Sequence, residues 1–146
     1  MIHTTDTTSM SDPRYMGLPT FMRTQFSRAL DELDIALVGV PYDGGTTNRP
    51  GARHGPREMR DMSSLMRAIH HVTHINPYQL CRVADVGDVP FQKVFLVEHV
   101  LADIENFYRT LHDKNVIPIS AGGDHSITFP IFRACLLYTS PSPRDS

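Results

Sequence analysis

The residues best suited to chemistry fall in Ser120-Ala-Gly-Gly-Asp-His-Ser126, where a carboxylate and an imidazole stand side by side behind two glycines. His125 offers a ring nitrogen to a metal ion, and Asp124 offers a carboxylate able to orient it. That pairing suits a metal ligand with its supporting partner. Gly122 and Gly123 permit a tight turn and close approach of backbone to a bound group. The same residues also read as a capped helix start, with Asp124 as the N-cap. From the pattern alone both readings stand.

Two other stretches invite the same question. Tyr42-Asp-Gly-Gly-Thr-Thr-Asn-Arg-Pro-Gly-Ala-Arg-His-Gly55 is a long loop dense in Gly, Asn, Thr and Arg, and such loops often sit over a site. The alternative is a structural loop leading into a helix that Pro56 begins. His70 and His74 are four apart and would share one face of a helix. No Glu lies between them and Pro77 follows closely, so the structural reading is favoured there.

The elements that must position these residues follow from periodicity. Ile35-Ala-Leu-Val-Gly-Val40 is continuous and β-branched, as in a parallel strand buried on both faces. Cys81–Gly87 and Val116–Ala121 are the second and third strand candidates. Helices are expected after Pro56 through Met66, and over Phe95 to His112, where Leu96, Val100, Leu101, Ile104, Phe107, Tyr108 and Leu111 recur at spacings of three and four. On that helix Glu98, Asp103, Glu105 and Arg109 are expected to face water. A further helix-like segment follows the motif from Ile127. Residues 20–30 have some helical spacing but no firm assignment. Strands alternating with helices imply right-handed crossovers and a parallel sheet covered by helices, an α/β fold. Such sheets bind ligands at the carboxyl ends of their strands, where both the loop 42–55 and the motif 120–126 emerge.

The chain has 146 residues, 40% hydrophobic and 21% charged, enough for one ordinary globular domain. A net charge of −2 gives no basic field for nucleic acid or anionic membrane. There is no membrane-length apolar run and no signal-peptide pattern. Cys81 and Cys135 form no Cys-x-x-Cys pair. A cytoplasmic protein is expected. Residues 1–19 read as a flexible N-terminal arm and 20–134 as the domain part. Residues 135–146, with two prolines among serines, read as a disordered or non-native tail.

Val38-Gly-Val-Pro-Tyr-Asp-Gly-Gly-Thr-Thr-Asn-Arg-Pro-Gly-Ala-Arg-His-Gly-Pro-Arg57, Val83-Ala-Asp-Val-Gly-Asp88 and Ser120–Ser126 together resemble the ureohydrolases, the arginase and agmatinase family. The likeness covers roughly residues 15–134 and is closest to the guanidinopropionase and agmatinase branch. It implies an arginase-like three-layer α/β/α sandwich, of which this chain holds the N-terminal portion. It implies two Mn²⁺ ions, with His125 a direct ligand of one and Asp124 beside it as support; carboxylate and imidazole suit this metal. It also implies hydrolysis of a guanidino compound, agmatine or a guanidinoalkanoate such as guanidinopropionate, to urea and an amine. Asp43, Asn48, Arg49 and His54 would be the polar residues of the substrate loop, with Arg49 suited to a substrate carboxylate. A homo-oligomer of the complete protein is expected, with no nucleic-acid partner.

The family's later Asp-x-His-x-Asp and Asp-x-Asp motifs are absent from these residues. The chain alone is therefore expected to be inactive, to bind Mn²⁺ poorly and to aggregate through an exposed sheet edge. Two other readings compete. One is a non-catalytic anion-binding module, in which the loop 43–55 and a helix N-terminus cradle the anion. The other is a truncated paralogue that joins oligomers of an intact enzyme.

Overall fold

A computed structural model describes residues 12–139. Their backbone forms a parallel sheet of β1 (Gln25–Phe26), β2 (Ile35–Val40), β3 (Val83–Asp88) and β4 (Ile117–Gly122), in the spatial order β1-β3-β2-β4. The helices are α1 (Gly55–Ser63), α2 (Pro77–Leu80), α3 (Val97–Asp113) and α4 (Thr128–Thr139). The α/β parallel-sheet expectation is met. The strand count is corrected from three to four, because two-residue β1 lies in the unassigned 20–30 segment and pairs with Ala84 and Asp85 of β3. Residues 1–11 of the expected arm and 140–146 of the expected tail lie outside the described residues, while 12–19 are exposed.

The apolar run of β2 makes it the central strand, buried from Ala36 to Val40 and hydrogen-bonded on both edges. From β2 the chain moves one way along the sheet to β3, then back past β2 to β4. Right-handed crossovers in opposite directions place α1 and α3 on opposite faces. On one face Ala36, Val38 and Val40 pack with Val100, Ile104, Tyr108 and Leu111 of α3 in the main core. Their spacing of four, four and three is the helical stripe read from the sequence. On the other face Gly39 opposes Pro56 of α1.

Several boundaries differ from the sequence reading. α1 stops at Ser63 rather than Met66, and α4 crosses Ala134 and continues to Thr139. Glu105 is corrected from a solvent-facing residue to a buried one. It pairs with Arg109 one turn on and lies 3.3 Å from Nε of Arg133 in α4, joining two helices. β4 is an edge strand of this sheet, and it leaves Ile117 and Ile119 at least half exposed.

Candidate functional site

The register between β2 and β4 runs unbroken from Ile35–Ile117 to Val40–Gly122, so the two strands end together. Beyond their ends the pairing goes on through the loops. Gly123 N donates to Val40 O at 3.3 Å, and Asp124 N donates to Tyr42 O at 2.8 Å. A β-carbon on Gly123 would lie 2.0 Å from Tyr42 O, which explains the glycine at this position. The chain leaves β2 for α1 on one face and leaves β4 for α4, packed with α3, on the other. Ligands of open α/β sheets bind at such a divergence.

Asp124 joins the two loops. One carboxylate oxygen accepts from Ser126 N at 2.8 Å and from the Ser126 hydroxyl, capping the turn His125–Ile127. The other accepts from Gly45 N at 2.7 Å. The capped-turn reading is therefore correct for Asp124, and the expectation that it orients His125 is corrected: both oxygens are directed elsewhere. His125 is exposed, and its Nδ1 lies 3.3 Å from the Thr128 hydroxyl. In the tautomer in which Nδ1–H donates to that hydroxyl, Nε2 keeps its lone pair, the state a metal ligand needs. Below this turn, the Ser120 hydroxyl meets Tyr108 OH at 2.6 Å. Burial pushes the Tyr108 hydroxyl up to about 12, with the Ser120 bond opposing.

The loop 42–55 is organised around Asp43. This carboxylate is buried and accepts from Gly51 N at 2.6 Å, Arg53 N at 3.2 Å and Arg53 Nε at 2.7 Å. The Arg53 side-chain bond, helped by the two backbone N–H groups, holds Asp43 well below the usual carboxylate range although burial opposes. Asp43 O also accepts from the backbone and hydroxyl of Thr46. Asp43 is thus corrected from a mouth-lining residue to the inward anchor of the loop. Asn48, Arg49 and His54 are exposed, as a substrate-facing role requires. Arg53 was missed by the sequence reading, and only the pairing of an acid and a base within one Gly-rich loop signals it.

A second network was also not legible. Asp85, buried in β3, accepts from Arg60 Nε at 2.7 Å, Arg60 Nη2 at 3.0 Å, Phe21 N at 2.9 Å and Gly87 N at 2.8 Å. Arg60 also reaches Asp88 at 2.8 Å and lies over the Phe21 ring, 4.2 Å from its centre. This fixes α1 to β3 and to the segment before β1. Beside it is an open cavity of about 710 Å³ lined by His54, Arg57 and Arg60 among others, without His125.

Among the described residues, no group of three or more His, Cys, Asp or Glu is arranged to hold a metal ion. His125 is a single ligand, and one imidazole does not complete a site for two hard cations. His74 has φ 55° outside any helix, so His70 and His74 do not share a helical face, in keeping with the structural reading. No helix among the described residues is long and apolar enough to cross a membrane.

Comparison with known proteins places this arrangement. The family model described as the Arginase family matches residues 33–142. Guanidinopropionase of Pseudomonas aeruginosa is 55% identical over 122 residues, which cover 84% of this chain and 38% of that protein. Guanidinobutyrase of the same organism is 43% identical over 125 residues, 84% of this chain and 39% of that protein. The solved structure of proclavaminate amidino hydrolase from Streptomyces clavuligerus superposes with a TM-score of 0.83 at 32% identity, covering 89% of this chain and 43% of that one. The chain therefore spans well under half the length of the relatives it matches.

Proposed function

The chain belongs to the arginase family, and from that premise we propose that it carries the first part of a site hydrolysing a guanidino carboxylic acid to urea and an amino acid. The observation that carries this reading is the bond from Gly45 N to Asp124. It holds the substrate loop and the His125 turn together at the carboxyl ends of adjacent strands. The guanidino end of the substrate would lie near His125, and the addition of water across its carbon would release urea and the amine. Arg49, exposed on the loop, has no ion-pair partner among the described residues. Its guanidinium would pair with a substrate carboxylate and disfavour the second cation of agmatine. The similarity to guanidinopropionase and guanidinobutyrase supports an acid rather than agmatine as substrate.

Manganese is part of the proposal, with His125 as one ligand. The remaining ligands are not assembled by the described residues, so the 146-residue chain by itself is expected to release no urea. The test joins residues 1–134 to the C-terminal part of the Pseudomonas guanidinopropionase and assays urea from guanidinopropionate, guanidinobutyrate and agmatine with added Mn²⁺. Release from a guanidino acid in preference to agmatine supports the reading. A soluble, folded chimera that prefers agmatine, or that keeps the same preference after Arg49→Ala, overturns the role of Arg49.

A further inference from the structure

The two edges of the sheet are built differently. β1 has two residues, Gln25 and Phe26, and the guanidinium of Arg28 stands 6.0 Å from the Phe26 ring centre. A very short strand with a charge beside it is one way sheets close an outer edge. β4, at the other edge, has six residues and none of them is charged. Ile117 N donates to Asp34 O at 3.0 Å and Gly123 N to Val40 O at 3.3 Å, so the odd-numbered residues direct their backbone groups to β2. Pro118, Ser120 and Gly122 direct theirs outward, where no strand meets them among the described residues. Proline has no N–H, which leaves the amides of Ser120 and Gly122 as the open donors.

Both sides of this edge are apolar. The register sets Ser120 beside Val38, which packs under α3, and Tyr108 of that helix reaches the Ser120 hydroxyl. Ile117 and Ile119, one residue out of step, therefore lie on the opposite face, and both are at least half exposed. On the face of α3, a β-carbon at Gly122 would lie 2.2 Å from Ile127 Cδ1, so the turn into α4 sits over the end of β4. α4 turns Pro130 and Ala134 inward. Phe129, Phe132 and Leu136, spaced three and four apart, share the side away from them, and each is more than half exposed. An uncharged strand edge left open between two apolar surfaces has the character of an interior position.

We propose that this edge and the two surfaces beside it dock the C-terminal part of an arginase-family domain, which adds a parallel strand to β4 and a helix against the stripe from Phe129 to Leu136. The relatives supply the length for it. The residues matched to guanidinopropionase are 38% of that protein, so well over half of it lies outside the match. A parallel α/β addition covers the open amides, the two isoleucines and the helix stripe together, because further strands of such a sheet bring helices to both faces. The inference rests on membership of the family and stands whether or not the guanidino-acid reading does.

The test co-expresses the 146-residue chain with a tagged C-terminal part of the Pseudomonas guanidinopropionase and measures how much of the chain the tag retains. Retention in equal amounts is expected. Ile119→Arg and Phe132→Arg should each lower it about tenfold, and Leu80→Arg, exposed on α2 ahead of β3, should leave it unchanged. Hydrogen exchange gives a second reading in the protein that joins residues 1–134 to the same C-terminal part. There the amides of Ser120 and Gly122 should exchange about tenfold more slowly than in the 146-residue chain, relative to Ile119, whose N–H faces β2. Slowed amides support the docking face even where the separate pieces do not meet. Retention that both Arg variants leave intact, or Ser120 and Gly122 amides as fast in the joined protein as in the chain alone, overturns the proposal. A dimer of the 146-residue chain that the same two variants dissociate assigns the face to a second copy and overturns it equally.

Discussion

The carboxylate of Asp124 accepts from Gly45 N at 2.7 Å, a contact between residues 79 positions apart that fastens the loop after β2 to the turn after β4. The same side chain caps that turn through Ser126. Its place in the site is therefore mechanical: it sets where the loop lies relative to His125. Replacing Asp124 with Ala removes both links. Amide hydrogen exchange at Gly45 and Ser126 should then quicken at least tenfold while the protection of β2 is kept. Asp124→Asn keeps one acceptor oxygen, so one of the two amides should stay protected. Unchanged exchange at Gly45 in the Ala variant would show that the loop is held by other means.

Gly123 is the second fastening between these strands. A methyl group there meets backbone on two sides, Tyr42 O at 2.0 Å and Val40 O at 2.7 Å, and neither atom belongs to a flexible side chain. Gly123→Ala should force the turn away from β2 and lower the denaturant midpoint. Gly51→Ala, where nothing lies within 4 Å, meets no neighbour and should act only through its φ of 146°. Equal losses in the two variants would count against the close approach at Gly123.

Acid should loosen the molecule with a sign fixed by Asp34 and Asp43. Asp34, through its side-chain and backbone bonds to Arg82, is lowered to about 2, and Asp43 is lowered through Arg53. Both folded values lie below the unfolded value of about 3.9. Their stabilisation is therefore complete above pH ~4 and is lost as pH falls toward the folded values. Asp34 is half exposed beside Arg82, so its share should be small and salt-sensitive. Denaturant midpoints of the parent chain and of Asp34→Asn should differ at pH 7 and converge near pH 2. A gap that widened on acidification would reverse the assignment.

Much of this was legible in the sequence because it depends on short-range pattern. The run 35–40 is apolar enough to be only a central strand, and Val100, Ile104, Tyr108 and Leu111 mark the buried face of α3 by spacing alone. β1 was not legible because two residues carry no periodicity; its place is set by Asp85, far along the chain, which accepts from Phe21 N. In the loop 42–55 the residue types pointed to a site, but their directions did not follow. Asp43 turns inward because Arg53 and two amides meet it there, and Asp124 turns from His125 to Gly45 because β2 and β4 are neighbours. Both are tertiary facts, invisible to a local reading.

Tyr108 links the core helix to the motif, and two substitutions separate its roles. Its ring is fully buried among β2 and α3 side chains, while its hydroxyl meets Ser120 at 2.6 Å. Tyr108→Phe keeps the packing and frees Ser120, which is exposed and can bind water instead. The loss should be about 0.5–1.5 kcal/mol. Tyr108→Ala opens the core and should cost about 3–5 kcal/mol. Chemical denaturation distinguishes them, and equal losses would mean that the hydroxyl bond, not the ring, dominates.

Arg60 and Asp85 give the sharpest test of what holds α1 in place. Asp85 is buried, and Arg60 is its one cationic partner among the described residues, supplying two of its four hydrogen bonds. Arg60→Met should cost about 3–5 kcal/mol, because it leaves a buried carboxylate with only the backbone N–H groups of Phe21 and Gly87. Adding Asp85→Asn removes the stranded charge yet keeps an acceptor for those amides, so the double variant should be more stable than Arg60→Met alone. Arg60→Lys should not restore the parent, since an ammonium lacks the planar fork that pairs with Asp85 and stacks 4.2 Å from the Phe21 ring centre. Denaturant midpoints of the parent, these three variants and Asp85→Asn alone decide the matter. If the double variant falls by the sum of the two single losses, the two residues act independently and the ion pair is not what fastens α1 to β3.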